Sequence, residues 1–266
     1  MWWLHLALYL AIYARAVAEC AAAASRGIVH FDLKADNLLL RPHPGSSESH
    51  FWDPDATSPL PFDVVLADFG EARRFADVHA EDARTVRSRG TECIKPPEML
   101  TIAHAARADR ATFDRRRRAG AGAGCDVWAA GCLLYELACG AYLFHDADWT
   151  RFFVRLTSPG EALFPPDKAR EIAGLPPVFK VTLARASVSS VCVAAPAISF
   201  LFPSAADLIH PRWRGAFFPP GPREELLAYA LVRDPMRRPE MGDLAARAAA
   251  AAAAFSASLA PPPPPA

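Results

Sequence analysis

A chain of 266 residues with 52% hydrophobic and 22% charged residues can bury one sizeable core or two small ones, and it is too apolar to be a disordered chain. Its 29 basic and 29 acidic residues cancel, which excludes a global electrostatic pull toward nucleic acid or an anionic membrane. Six cysteines, none in a C-x-x-C pair and none grouped with histidine at zinc spacing, read as free thiols of a reducing, cytoplasmic compartment.

The chain opens on an apolar run, Met1 to Ala14, followed by Ala16-Val17-Ala18, a small-residue pattern like a signal-peptidase site. No basic segment precedes it, and the run is shorter than the ~20 residues of a spanning helix. Helix-favouring sequence continues through Arg15, Glu19 and Ala24. Residues 4–25 are therefore predicted to form a buried helix ending near Ser25-Arg26-Gly27, with Gly27 as its C-cap. A secreted or membrane-anchored chain using residues 1–18 is the competing reading.

Ile28-Val29-His30 is a short extended entry, Leu38-Leu39-Leu40 a buried strand, and Val64-Val65-Leu66 a returning strand that ends at Asp68-Phe69-Gly70. The Pro- and Ser-rich residues 41–61 between them form a loop. Residues 71–95 are polar and arginine-rich without periodicity, and Pro96 to Leu100 opens a short helix. Residues 101–124 read as a flexible Ala/Arg/Gly insertion, with Arg115 to Arg118 as a solvated charge run. Asp126 to Gly140 is apolar all round, the mark of a helix at the centre of a domain. Trp149 to Leu156 and Glu224 to Val232 read as helices. Val181 to Leu208 is apolar but interrupted by Arg185 and Pro196, which argues against a membrane span. Ala245 to Ala266 reads as an Ala-rich helix running into the proline run Pro261 to Pro265, with 249–266 an Ala/Pro-rich tail expected to be disordered.

Several short motifs stand in one order: His30-Phe31-Asp32-Leu33-Lys34-Ala35-Asp36-Asn37, then Asp68-Phe69-Gly70, then Gly90-Thr91 with Pro97-Glu98, then Asp126-Val127-Trp128 within the apolar helix, then Asp234-Pro235 with Arg238-Pro239. Each alone is weak evidence; Asp32 and Asn37 by themselves could be a polar turn. Their order and flanking strands are specific. In them the chain resembles the C-terminal lobe of a eukaryotic-type serine/threonine protein kinase over residues 4–100, 125–157 and 222–248.

The resemblance implies a mainly α fold, helical with a small β-hairpin at the catalytic loop and D-F-G. It implies a partial kinase domain over 4–248 with insertions near 41–61, 101–124 and 158–221. It implies ATP and Mg²⁺ as cofactors and a protein Ser/Thr hydroxyl as substrate, with no nucleic-acid partner. On the matching positions, Asp32 would accept the substrate proton and Lys34 would neutralise the transferring phosphate. Asn37 and Asp68 would ligate Mg²⁺, and Leu39 would floor the adenine. Thr91 would bridge Asp32 and Lys34 at the substrate-docking end of the activation segment. His30, Phe69, Glu98, Asp126 and Arg238 would be structural: His30 packing on Phe69, Glu98 pairing with Arg238, Asp126 holding the loop backbone. Asp36 is expected to be a solvated loop residue.

Two departures matter. Phe31 stands where the family usually has an arginine that binds a phosphorylated activation segment, although Thr85 and Ser88 are available for phosphorylation. Upstream, only 29 residues precede His30, with no glycine before Gly27 and no lysine before Lys34. The family's ATP-binding first lobe would need about 65 residues by average element lengths. The expectation is a chain without that lobe. Orientation of reactants can account for about 7–11 kcal/mol of barrier, so catalysis by these 266 residues alone is expected to be impaired. A pseudokinase-like protein-binding module is the alternative.

Overall fold

The apolar opening run becomes helix α1 (Trp2–Ala24) in the computed structural model, which describes residues 2–44, 61–105, 120–174 and 226–259. The window Ala7–Ala24 is long and apolar enough to cross a membrane by length and composition. Leu10, Tyr13, Val17 and Cys20, three or four residues apart, instead bury one face within the main apolar cluster. Gly27 closes the helix at φ 78°, its N–H donating to Ala24 O at 2.9 Å. A Cβ there would overlap the Phe75 carbonyl oxygen, so glycine is required both by conformation and by the approach of a second chain segment.

The central helix is α3 (Gly124–Cys139), whose residues from Cys125 through Tyr135 are all buried. It lies against α1, α6 (Leu226–Ala230) and α7 (Met241–Leu259), and α1 pairs most extensively with α7. Trp128 stacks on Phe144 at 5.4 Å, and each such fully buried large side chain stabilises the fold by roughly 1.5–3 kcal/mol. Helices α2 (Pro97–Ala105) and α4 (Trp149–Thr157) pack on one another to one side. Helix α5 (Pro166–Gly174) follows, with Ile172 in the same main cluster. Asp148 caps α4, its carboxylate accepting from the N–H groups of Thr150 and Arg151 at 2.9 and 3.2 Å.

Strand pairing places the loops. β1 (Ile28–Val29) pairs antiparallel with β4 (Arg73–Arg74), and β2 (Leu38–Pro42) pairs antiparallel with β3 (Phe62–Leu66) in the register Leu38 with Leu66 and Leu39 with Val65. The first and last strands of this set pair together, as do the middle two. The connections 30–37 and 67–72 are therefore forced to run side by side.

The structure differs from expectation in five places. Leu39 is 56% exposed, because it shares with Val65 the ribbon face opposite Phe62, Val64 and Leu66, which meet the core; Leu40, although opposite Val64, is also 42% exposed. Arg73-Arg74, read as irregular, is a strand. Residues 101–105 continue α2, and Ala121 pairs with Thr85 in an isolated bridge (N–H to O at 2.8 and 2.9 Å), so both ends of the 101–124 stretch belong to the fold. Thr85 is fully buried by that bridge and is not available as a surface hydroxyl. Helix α7 runs to Leu259 with Phe255 buried, so the tail is ordered across 249–259. Residues 45–60, Arg115 to Arg118, Val181 to Leu208, Cys192 and 260–266, for which the sequence also carries expectations, lie outside the described residues.

A second, smaller apolar cluster lies under the loops. It joins Val29, Phe31, Val78, Met99, Ile102, Ala121 and Cys125, with Phe75 packed against it.

Candidate active site

The loop 30–37 takes its shape from α3. Asp126, in the first turn of that helix and buried, accepts from His30 N–H through Oδ2 and from Phe31 N–H through Oδ1, both at 2.7 Å. Burial pushes its carboxyl up from the usual range, with the two backbone N–H bonds pulling the other way. Held at two successive amides, the chain turns through Phe31 at φ 65°, a left-handed conformation that a bulky residue rarely adopts.

That turn directs Asp32. Its Oδ1 accepts from Thr91 N–H at 2.7 Å, and its Oδ2 accepts from the Asn37 amide at 3.1 Å. Lys34 Nζ lies 3.3 Å from the same carboxylate and donates to Thr91 Oγ1 at 2.7 Å. Burial would raise the Asp32 carboxyl, but the Thr91 hydroxyl and N–H, then the Lys34 charge, outweigh it and hold the group below the ordinary carboxylate range. Asp32 is thus an ionised carboxylate with one lysine beside it and its orientation fixed from two sides.

His30 is fully buried. Its Nδ1 accepts from Asp32 N–H at 3.3 Å and its Nε2 donates to Ala67 O at 3.0 Å, the neutral tautomer that satisfies both bonds. Its ring meets Phe69 edge-on at 4.8 Å. Ala67 N–H donates to Asn37 O at 2.9 Å, which locks the second loop to the first. Asp68 follows in a left-handed turn, φ 57°, its carboxylate exposed and accepting from Gly70 N–H at 3.2 Å.

Asn37 gives its amide hydrogens to Asp32 O at 2.8 Å and to Asp32 Oδ2. Its carbonyl oxygen is left as an acceptor next to the turn that carries Asp68. Two hard oxygen donors on adjoining loops suit Mg²⁺, which takes one or two protein oxygens and completes its shell with water and phosphate. Among the described residues no group of three or more His, Cys, Asp and Glu could hold a metal by itself. Leu39, with its cross-strand partner Val65, offers an apolar surface on the ribbon face away from the core.

Glu98 and Arg238 form a bidentate pair at 2.6 and 2.8 Å, with the arginine side chain fully buried. Arg238 also donates to the carbonyls of Val232, Gly124 and Arg233 and lies over the Trp128 ring at 5.2 Å. Asp36 is exposed.

Sequence reasoning missed two contributors. Gly90, at φ 75°, lets the segment touch the Phe31 carbonyl, which a Cβ would overlap. Its place immediately before Thr91 was the available signal. Glu136 Oε2 on α3 accepts from Ala35 N–H at 3.3 Å, a tie from 101 residues away with no local signature.

A buried histidine, an oriented carboxylate with an adjacent lysine, and oxygen donors on two adjoining loops thus stand together, held in place from α3. The chain belongs to the protein kinase family: the model of the protein kinase domain matches residues 9–244. A probable serine/threonine-protein kinase of Dictyostelium discoideum is 43% identical over 177 residues, 65% of this chain and 7% of that protein. The 3-phosphoinositide-dependent protein kinase 1 of Arabidopsis thaliana is 30% identical over 139 residues (50% and 21%). CBL-interacting protein kinase 25 of Oryza sativa subsp. japonica is 31% identical over 160 residues (60% and 24%). The chain therefore spans less than a quarter of the length of each of these relatives.

Proposed function

We propose that the described residues form the large, mainly helical lobe of a serine/threonine protein kinase, and that the reaction they serve is phosphoryl transfer from Mg·ATP to a protein Ser/Thr hydroxyl. The observation that carries this reading is the Asp32 carboxylate, pinned by Thr91 N–H at 2.7 Å with Lys34 Nζ 3.3 Å away.

Asp32 would accept the proton of the incoming hydroxyl and aim its oxygen, a role that needs the ionised form its partners favour. Lys34, tethered through Thr91, would stand where charge develops on the transferring group. Asn37 and Asp68 would hold Mg²⁺, whose charge supplies neutralisation of the phosphates. Leu39 and Val65 would take one face of the adenine ring. The exposure of Leu39, 56%, supports the further reading that the described residues cover the nucleotide on one side only, so that these 266 residues alone transfer phosphate slowly.

Thermal unfolding with and without Mg·ATP tests the site. A stabilisation that rises with nucleotide, and that is lost in Asp68→Asn and Asn37→Ala, is expected. No shift at millimolar nucleotide overturns the nucleotide site. Transfer of labelled γ-phosphate to a Ser/Thr protein substrate, abolished by Asp32→Asn, tests the chemistry; rapid transfer by the isolated chain overturns the claim of slow turnover alone.

A further inference from the structure

Helix α4 reaches the candidate site from outside the two loops that carry its chemistry. We propose that Trp149 is a positioning residue: its indole N–H holds the Glu92 carboxylate, and that hold sets Thr91 against Asp32 and Lys34. This deepens the phosphotransfer reading and rests on it for what Thr91 serves.

Thr91 is the last residue before a short 3₁₀ turn, Glu92–Ile94. Its N–H donates to Asp32 Oδ1 and its hydroxyl accepts from Lys34 Nζ, both at 2.7 Å. On the other side, Ile94 N–H and Lys95 N–H donate to Thr91 O and Glu92 O, each at 3.2 Å. Ile94 is buried in the main apolar cluster, which pins the turn from below. Glu92 is exposed, and its carboxylate accepts from Trp149 Nε1, 57 residues further along the chain. The turn is thus held at two points, one in the core and one at the surface.

The surface point is rigid. Trp149 is the first residue of α4, and α4 is fastened at both ends. Asp148 caps it, Asp146 accepts two bonds from the Arg151 guanidinium at 2.6 Å, and Phe152 and Leu156 are buried in the main cluster. Arg233 closes the other end, donating to the carbonyls of Arg155 and Leu156 at 2.8 and 3.1 Å and of Glu161 at 2.8 Å. The indole plane is set by stacking on Phe153 at 5.1 Å and by His104 of α2 at 5.5 Å. A ring fixed in this way aims its single donor in one direction, and a bond from it to a carboxylate is of the stronger, charge-assisted kind. Trp149 keeps its ring packing without that bond; what the bond adds is the place of the turn.

Hydrogen exchange of the full chain, read by mass spectrometry, tests the hold. Trp149→Phe keeps a stacked ring and loses the donor. It is expected to speed exchange of peptides covering 91–95 about tenfold while peptides of α3 and of 150–157 keep their wild-type rates. Glu92→Ala, a change at an exposed residue, carries the same expectation if Trp149→Phe does not fold. Glu92→Gln, which still accepts from the indole, should stay near wild type, and Trp149→Phe with Glu92→Ala should exchange no faster than either alone. A second readout follows Thr91 to Asp32. The stability lost on Asp32→Asn at neutral pH should shrink in a Trp149→Phe background, because a loosened Thr91 holds the carboxylate less firmly. An unchanged 91–95 in Trp149→Phe overturns the proposal, as does equal loosening of 150–157 or an undiminished Asp32→Asn loss. Both readouts work without phosphate transfer, so a chain that binds no Mg·ATP removes the phosphotransfer reading and leaves them to decide the hold.

Discussion

The two apolar clusters are built by different means. The larger is made by helices: α1, α3 and α7 satisfy their own backbone hydrogen bonds and meet through side chains set three or four residues apart. The smaller joins Met99, Ile102 and Cys125 of helices to Phe31, Val78 and Ala121 of loops, whose segments need backbone partners far along the chain, such as Thr85 with Ala121 and Phe31 with Asp126. Stability is concentrated in the first cluster and the geometry of the site in the second. Damage to the first should unfold the chain, and damage to the second should disorder the site within a folded chain.

Arg238 belongs to both regions: it lies over Trp128 of the large cluster and binds Glu98, which also accepts from Cys125 Sγ of the small one at 3.6 Å. Arg238→Ala strands a carboxylate and is expected to cost about 3–5 kcal/mol in urea unfolding; a cost below about 1 kcal/mol would show that the two clusters are not joined there. Leu133→Ala, wholly inside the large cluster, should cost about 2–5 kcal/mol and lower the global transition as one step. Gly90→Ala, strained at φ 75° and obstructed by Phe31 O, should cost about 1–3 kcal/mol. Its larger sign should be loss of the Mg·ATP shift, and a variant with normal nucleotide stabilisation would break the contrast between regions.

The smallest effect is a pH dependence. The Asp32 carboxyl is held below the ordinary carboxylate range in the folded chain, so its contribution is fully present above the pKa of the unfolded chain and is lost as pH falls through the folded pKa. The stability difference between wild type and Asp32→Asn should therefore grow as pH rises through this acid range and then level off. A flat difference in chemical denaturation from acid to neutral pH would remove Asp32 from the set of groups held ionised by the fold.

What could be read from the sequence divides along the same line. Helix α1 with its glycine stop, the buried α3 and the pairing of Val64–Leu66 with Leu38–Leu40 are local patterns, and each stood in the sequence. The Thr85–Ala121 bridge joins a polar stretch to an Ala/Gly stretch, with no periodicity on either side to announce it. Three leucines in a row suggested a strand buried on both faces, but a ribbon with one face on the core leaves Leu39 outward. The alanine-rich end of α7 looked like low complexity; yet Leu244 and Phe255 are 11 residues apart, close to three helical turns, which puts both on the face toward α1. In the site, the residue types were legible from motif order. Their geometry was not, because it depends on Asp126 and Thr91, far along the chain from Asp32.

Distance along the chain also has a meaning in time. The carboxylate of Asp126 that bends the loop is 96 residues downstream of His30. At ribosomal rates of about 5–20 residues per second, the loop waits roughly 5–20 s in the nascent chain before its anchor has been made. The Glu98–Arg238 pair closes later still, across 140 residues. Synthesis thus delivers the candidate-site residues first and the parts that hold them last, so a chain stalled or cleaved before α3 would carry Asp32, Lys34 and Asn37 without the Asp126 anchor that bends their loop.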